Sequence, residues 1–240
     1  LRSLIKQKFQ NIQAAIIDLD GTMLNTAPDF LVAINRMREE FLLAPLDLTT
    51  ITHFVGKGSE NLIQRVLATD FNEAEVTRHF AQAMASYQKH YLAINGDYST
   101  LYPEVIEGLQ ALKAQGLRLA CVTNKPIAFT TPLLAKMGLN EFFSVVYGGD
   151  SLPRKKPDPL PLLQVCLDFQ LAPAQVVAIG DSSNDAQAAR AAGCPVLIVP
   201  YGYNHGEAVQ TIESDGIVET LLSAAQFLLS RKNPIISSSF

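Results

Sequence analysis

Cysteine is scarce and scattered in this 240-residue sequence. Cys121, Cys166 and Cys194 lie inside or beside apolar runs, far apart and without metal-ligand spacing. That excludes a cysteine-built zinc site and a disulfide framework, and predicts buried, reduced core residues in a reducing compartment. Long apolar runs are lacking too. Nowhere do enough apolar residues follow one another to span a bilayer, and the opening stretch L-R-S-L-I-K-Q-K-F-Q has no uninterrupted apolar segment of the kind a secretory signal carries. The expected location is cytoplasmic. Positive charge is not in excess: 19 Lys and Arg stand against 23 Asp and Glu, a net charge of -4. This gives no electrostatic ground for nucleic acid or an anionic membrane as partner. A small anionic ligand stays open, because a local site can be positive inside a mildly acidic protein. There is no internal repeat, and both a monomer and a homodimer are compatible with the sequence.

What is present is an ordinary globular composition, 48% hydrophobic and 18% charged, long enough for one large domain or for a core with an insert. Five apolar segments rich in β-branched residues read as strands: Ala14 to Ile17, Leu117 to Val122, Ser144 to Tyr147, Val176 to Ile179 and Val196 to Val199. They run apolar almost without alternation, as strands covered on both faces do in a parallel sheet. Each is followed closely by polar or glycine residues, which puts the chemistry at the carboxyl edge of the sheet. Residues 29 to 43, 59 to 68 and 73 to 91 have helical patterns, the last preceded by an Asn72/Glu75 capping box. The pattern predicts an α/β fold: an open parallel Rossmann-like sheet with a helical cap domain inserted after the first strand. Residues 1–24 and 96–240 form the core of this reading and 25–95 the cap. Pro103 is expected to open a helix over 103 to 114, and Ser237 to Phe240 read as a tail.

Asp18 and Asp20, in D-L-D-G-T, end the first strand two residues apart and share one side of it. They are either two turn or capping aspartates or a pair of working carboxylates. Gly21 permits a close turn there, and Thr22 offers a hydroxyl to an oxyanion. G-D-S-S-N-D at the end of the fourth strand adds Asp181 and Asp185 around a helix start, with Ser182 or Ser183 as its cap. Thr123 and Asn124, past the second strand, offer neutral donors, and Lys156 or Lys155 a cation. Four aspartates and a phosphate dianion carry about -6, against about +3 from one lysine and Mg²⁺. A phosphate-binding reading therefore requires a divalent metal and some aspartate protonation.

These four elements, in order at four strand ends, resemble the haloacid-dehalogenase-like phosphatases across residues 14 to about 210. Shorter strings, N-T-A-P-D at 25 to 29, F-V-G-K-G at 54 to 58, L-Y-P-E-V at 101 to 105, V-T-N-K-P at 122 to 126 and K-P-D-P-L-P-L at 156 to 162, are similar to the phosphoglycolate phosphatase group. Glu104 stands where that group usually has glycine. The resemblance implies Asp18 as nucleophile, Asp20 as acid and base, and Thr123 and Lys156 on the phosphoryl group. It implies Gly21, Thr22 and Asn124 around the phosphate oxygens. Mg²⁺ would be held by the Asp18 and Asp181 carboxylates and the Asp20 main-chain carbonyl, with Asp185 in support.

In the cap, Gly56 and Gly58 leave backbone amides open to a second anion, and Lys57 between them is either a carboxylate-binding residue or a solvated turn residue. His53 and Arg65 are further cap candidates, His90 and His205 have no partner evident in the sequence, and Tyr201 and Tyr203 read as packing residues. The implied reaction is hydrolysis of a small phosphorylated organic acid, 2-phosphoglycolate first. Alternatives are phosphatases of sugar phosphates, pyrophosphate or nucleotides, a phosphosugar mutase, and a noncatalytic phosphate sensor on the same fold.

Overall fold

The computed structural model describes residues 8–232; the tail expected at 237–240 lies outside them. Its centre is a six-stranded parallel sheet in the order β5-β4-β1-β6-β7-β8, with β1 at Ala14–Ile17, β4 at Arg118–Val122, β5 at Val145–Tyr147, β6 at Val176–Gly180, β7 at Val196–Ile198 and β8 at Gly216–Ile217. Five of these are the apolar segments read from the sequence. The sixth, β8, is two residues at the sheet edge, too short to leave a pattern.

Alternation along β1 feeds two cores. Ala15 and Ile17 point to one face with Leu109, Leu112, Leu221 and Leu228, while Ala14 and Ile16 point to the other with Leu162, Val165 and Ala189. On the first face lie helices α5 (Val105–Ala114), α6 (Ile127–Lys136) and α9 (Leu221–Lys232); on the second, α7 (Leu160–Asp168) and α8 (Ser183–Ala192). Cys121, Cys166 and Cys194 are all buried free thiols. No helix of the described residues is long and apolar enough to cross a membrane.

Between β1 and β4 come α1 (Ala27–Glu40), α2 (Leu48–Thr52), α3 (Ser59–Leu67) and α4 (Glu73–Ile94). They gather Phe30, Ile34, Met37, Leu62, Ile63, Val66, Tyr87 and Tyr91 into a third apolar cluster, which also takes in Phe129 and Tyr203 from outside the insert. The α4 start carries the expected capping box, with Glu75 N donating to Asn72 Oδ1 at 3.1 Å and Asn72 N to Glu75 Oε2 at 3.0 Å.

The insert leaves and rejoins the core through a two-stranded antiparallel ribbon, β2 (Leu24–Asn25) and β3 (Thr100–Leu101), in which Leu24 pairs with Leu101. Buried Asp29 fastens this junction: its carboxylate accepts from Gly96 N at 2.7 Å, Tyr98 N at 2.8 Å and the Ser99 hydroxyl.

One helix start differs from expectation. The helix begins at Val105, not at Pro103, because Glu104 takes a left-handed backbone at φ 60° and stands outside the first turn. That conformation explains glycine as the usual residue there in the resembled group.

Candidate active site

Register brings the polar residues together. Ile17 pairs with Cys121 on one side and Ile179 on the other, so the next residues of the three strands, Asp18, Val122 and Gly180, reach the carboxyl edge level with one another. Here the strand order turns: β4 and β5 run off to one side of β1 and β6 to β8 to the other, opening the crevice in which α/β sheets bind ligands.

Asp18 follows β1, Asp181 follows β6, and Asp185 sits in the first turn of α8; carboxylate oxygens of all three lie within 4.8 Å of one another. Lys156 Nζ stands 2.9 Å from Asp18 Oδ1 and 2.7 Å from Asp185 Oδ1, and donates to Val122 O at 2.7 Å. Ser182 caps α8 and gives both its N–H and its hydroxyl to Asp185 Oδ2, at 3.1 and 2.7 Å. Asp181 accepts from Thr22 Oγ1 at 2.8 Å and Tyr203 N at 2.6 Å. Close packing there requires glycine: a Cβ on Gly21 would fall 2.4 Å from Asp181 Oδ2, and one on Gly202 2.2 Å from it.

Burial pushes the Asp18 carboxyl up to about 7, against the pull of Lys156 and with the push of Asp185. Burial, then Asp185 and Asp18, raise Asp181 well above the usual carboxylate range. Burial alone would lower the Lys156 ammonium, but Asp18 and Asp185 outweigh it and raise it. Three crowded carboxylates against one ammonium form an under-neutralised oxygen cluster, the donor set that a divalent cation such as Mg²⁺ fits.

The Asp20 carboxylate lies outside this group. It faces Lys125, whose ammonium is 3.1 Å from Oδ1 and 3.3 Å from Oδ2, donates to Tyr91 Oη at 2.6 Å, and lies over the Phe30 and Tyr91 rings at 4.5 and 4.6 Å. Burial lowers the Lys125 ammonium, with Asp20 pulling the other way. Lys125 escapes sequence reasoning, although it stands in the V-T-N-K-P string. Its partners come from the turn after β1 and from two cap helices, and only the fold brings them together. The charge balance therefore includes a second lysine.

Several donors expected to grip phosphate are already engaged. Thr22 Oγ1 is committed to Asp181, and Gly21 N donates to Leu24 O at 2.8 Å. Asn124 Nδ2 donates to Gly56 O at 3.0 Å and Lys156 O at 2.8 Å, so its amide ties the cap loop to the core. Among the described residues, the Thr123 hydroxyl only accepts, from Lys125 N at 3.2 Å, which leaves its proton for a ligand.

Asp18, Asp20, Thr123, Asn124, Lys125, Lys156 and Asp185 line one cavity of about 460 Å³, mouth included, roofed by Phe30, Val55, Gly56, Gly58, Ser59 and Leu62. Lys57 does not line it. Gly56 and Gly58 take φ of 112° and 88° and face inward, while Lys57 between them is exposed on an outer groove with Glu60, Lys155 and Glu207. Lys155 pairs with Glu60 at 3.3 Å, whereas Lys156 occupies the carboxylate cluster.

The histidines have partners after all. His90 meets Glu40 at 2.7 Å. His205 lies 3.4 Å from the Asn184 amide, which itself donates to Gly56 O at 3.2 Å; burial, then Lys57 and Arg65, lower the His205 imidazole. Arg65 binds His53 O at 2.7 Å and stacks on Phe54. Tyr203 does more than pack: its hydroxyl donates to Asn25 Oδ1 at 2.6 Å and accepts from Ala27 N at 2.9 Å.

A parallel sheet bearing this constellation at its switch point defines a class. The chain belongs to the haloacid dehalogenase-like hydrolases, whose family model matches residues 15–199. Among curated relatives, the phosphoglycolate phosphatase of Thiobacillus denitrificans is 50% identical over 89% of this chain and 94% of its own length. That of Nitrosospira multiformis is 48% identical over 90% and 96%. A crystal structure described as a predicted phosphoglycolate phosphatase from Haemophilus somnus superposes with a TM-score of 0.85 at 34% identity, over 90% of this chain and 98% of that one. The enzyme class is phosphatase.

Proposed function

We propose that the chain is a Mg²⁺-dependent phosphomonoester hydrolase that works through an aspartyl-phosphate and acts on 2-phosphoglycolate. The observation that carries this reading is Asp18 held by Lys156 within a three-carboxylate cluster, with Asp20 two residues on and turned to a cation of its own.

Asp18 attacks phosphorus in line, forming the carboxylate O–P bond as the ester O–P bond breaks. Asp20 delivers a proton to the departing alkoxide. It then takes a proton from the water that attacks the phospho-aspartate, releasing inorganic phosphate and restoring Asp18. Lys156 neutralises the nucleophile and the transferring group, while the Thr123 hydroxyl and the Leu19 amide hold phosphoryl oxygens. Asp18, Asp181 and the Asp20 carbonyl, with Asp185 in support, would hold Mg²⁺, which when bound would supply positive charge to the phosphoryl oxygens. The helices between 25 and 95 act as a cap domain on a core of 1–24 and 96–240, excluding water and selecting the ester.

The relatives' shared name supports 2-phosphoglycolate as the ester, with glycolate as the other product. A magnesium assay over a panel of monoesters, including sugar phosphates, nucleotides and pyrophosphate, tests the choice. The highest kcat/KM is expected for 2-phosphoglycolate. A sugar-directed profile, or isomerisation with little phosphate release, would overturn it.

A further inference from the structure

We propose that Lys125 is the specificity-determining residue, the cation that receives the carboxylate of the substrate. This assignment rests on the phosphatase reading of the same site. The cavity has two cationic side chains in its wall, Lys156 and Lys125. Lys156 is bound between Asp18 and Asp185 and belongs to the phosphoryl end. Lys125 belongs to the other end: its side chain is only 2% exposed, and its ammonium is caged by Phe30 and Tyr91 from the cap. An ammonium carries three N–H donors. Asp20 faces two of them, through Oδ1 at 3.1 Å and Oδ2 at 3.3 Å, and Tyr91 Oη the third at 2.6 Å; Asp20 in its acid form carries a proton on one of those oxygens, which weakens that contact and turns its N–H to an arriving anion.

Reach favours the same role. Asp20, as acid, sits within about 3 Å of the ester oxygen in a productive pose, and Lys125 Nζ is 3.1 Å from Asp20. The cation therefore lies no more than about 6 Å from that oxygen. In 2-phosphoglycolate the carboxylate carbon is two bonds from the ester oxygen, its oxygens roughly 3 to 4 Å away, within the span the two residues define. Beside Lys125 the cap presents the Phe30 ring, which offers no donor to the hydroxyls of a sugar. The site as a whole thus selects a short anionic group close to the ester oxygen. Lys57, on the outer groove, is outside this span.

The test compares 2-phosphoglycolate with ethyl phosphate, which has the same ester and a methyl in place of the carboxylate, in wild type, Lys125→Met and Lys57→Ala. Losing a desolvated charge partner is expected to lower the 2-phosphoglycolate to ethyl phosphate ratio of kcat/KM by about 100-fold in Lys125→Met, chiefly through KM for 2-phosphoglycolate. If Lys125→Met does not fold, as judged by circular dichroism, the ratio is read from Lys125→Gln. Equal losses on both esters would overturn the proposal and reduce Lys125 to a positioning residue for Asp20. A ratio that falls in Lys57→Ala but not in Lys125→Met would move the role to Lys57. Wild type inactive on both esters with Mg²⁺ would instead remove the phosphatase reading, and this proposal with it.

Discussion

Lys156 Nζ lies 2.9 Å from Asp18 Oδ1, so the proposed nucleophile is held in an ion pair among carboxylates instead of standing free. The pair resists protonation of Asp18 while burial favours it, and replacing the carboxylate should separate chemistry from stability. Asp18→Asn is expected to lower kcat by at least about 10⁴-fold, as losses of nucleophiles do. The metal-free fold should be as stable as wild type or more so, because one crowded charge is gone. Steady-state assays and thermal melts in EDTA read the two effects; activity near wild type would sink the nucleophile assignment.

Metal and pH should act on stability together. The folded Asp18 value of about 7 lies above the ordinary 3.8 of an aspartate. Its contribution is therefore full below the unfolded value and lost as pH rises through the folded one. Above about pH 7 the metal-free cluster is at its least favourable, and a bound divalent cation relieves it. Mg²⁺ is expected to raise Tm more at about pH 8 than at about pH 5. Melts in Mg²⁺ and in EDTA at both values check this. An equal or reversed increment would speak against metal binding by these carboxylates.

Asn124 joins cap loop to core through Gly56 O and Lys156 O. Asn124→Ala is expected to cost about 1 to 3 kcal/mol in urea unfolding and to speed hydrogen exchange around residues 53–58. Unchanged stability and exchange would return the amide to the phosphate.

Glu104 holds its φ of 60° without being glycine, and its carboxylate accepts from Thr220 Oγ1 at 2.6 Å. Glu104→Gly relieves roughly 1 to 2 kcal/mol of left-handed strain and gives up one exposed hydrogen bond and some chain stiffness. The variant should be neutral to about 1 kcal/mol more stable. A clear loss by urea unfolding would show that the Thr220 contact dominates.

What could be read from the sequence follows from how local each signal is. The strands announce themselves because both faces are buried, so Ala14–Ile17 and Val176–Gly180 are apolar throughout. Ribbon strands β2 and β3, two residues each, carry no such pattern. Asp18, Asp181 and Asp185 are legible from the residues that follow strands. Lys125 is not, since its partners Asp20, Phe30 and Tyr91 are supplied by three different elements. Thr22 and Asn124 have the right chemistry for phosphate, but their donors go to Asp181, Gly56 and Lys156. Lys57 has the right charge in the right loop, but the turn between Gly56 and Gly58 points it outward.

In the proposed reaction the phosphoryl group passes through Asp18. Wild-type protein turning over 2-phosphoglycolate with Mg²⁺ can be quenched in acid, reduced with borohydride and digested for mass spectrometry. An acyl phosphate is reduced to the alcohol, so the peptide bearing Asp18 is expected to carry homoserine at that position, and only when substrate and metal were both present. Phosphate release at full rate with Asp18 left unreduced, or with the mark on another aspartate, would contradict the account.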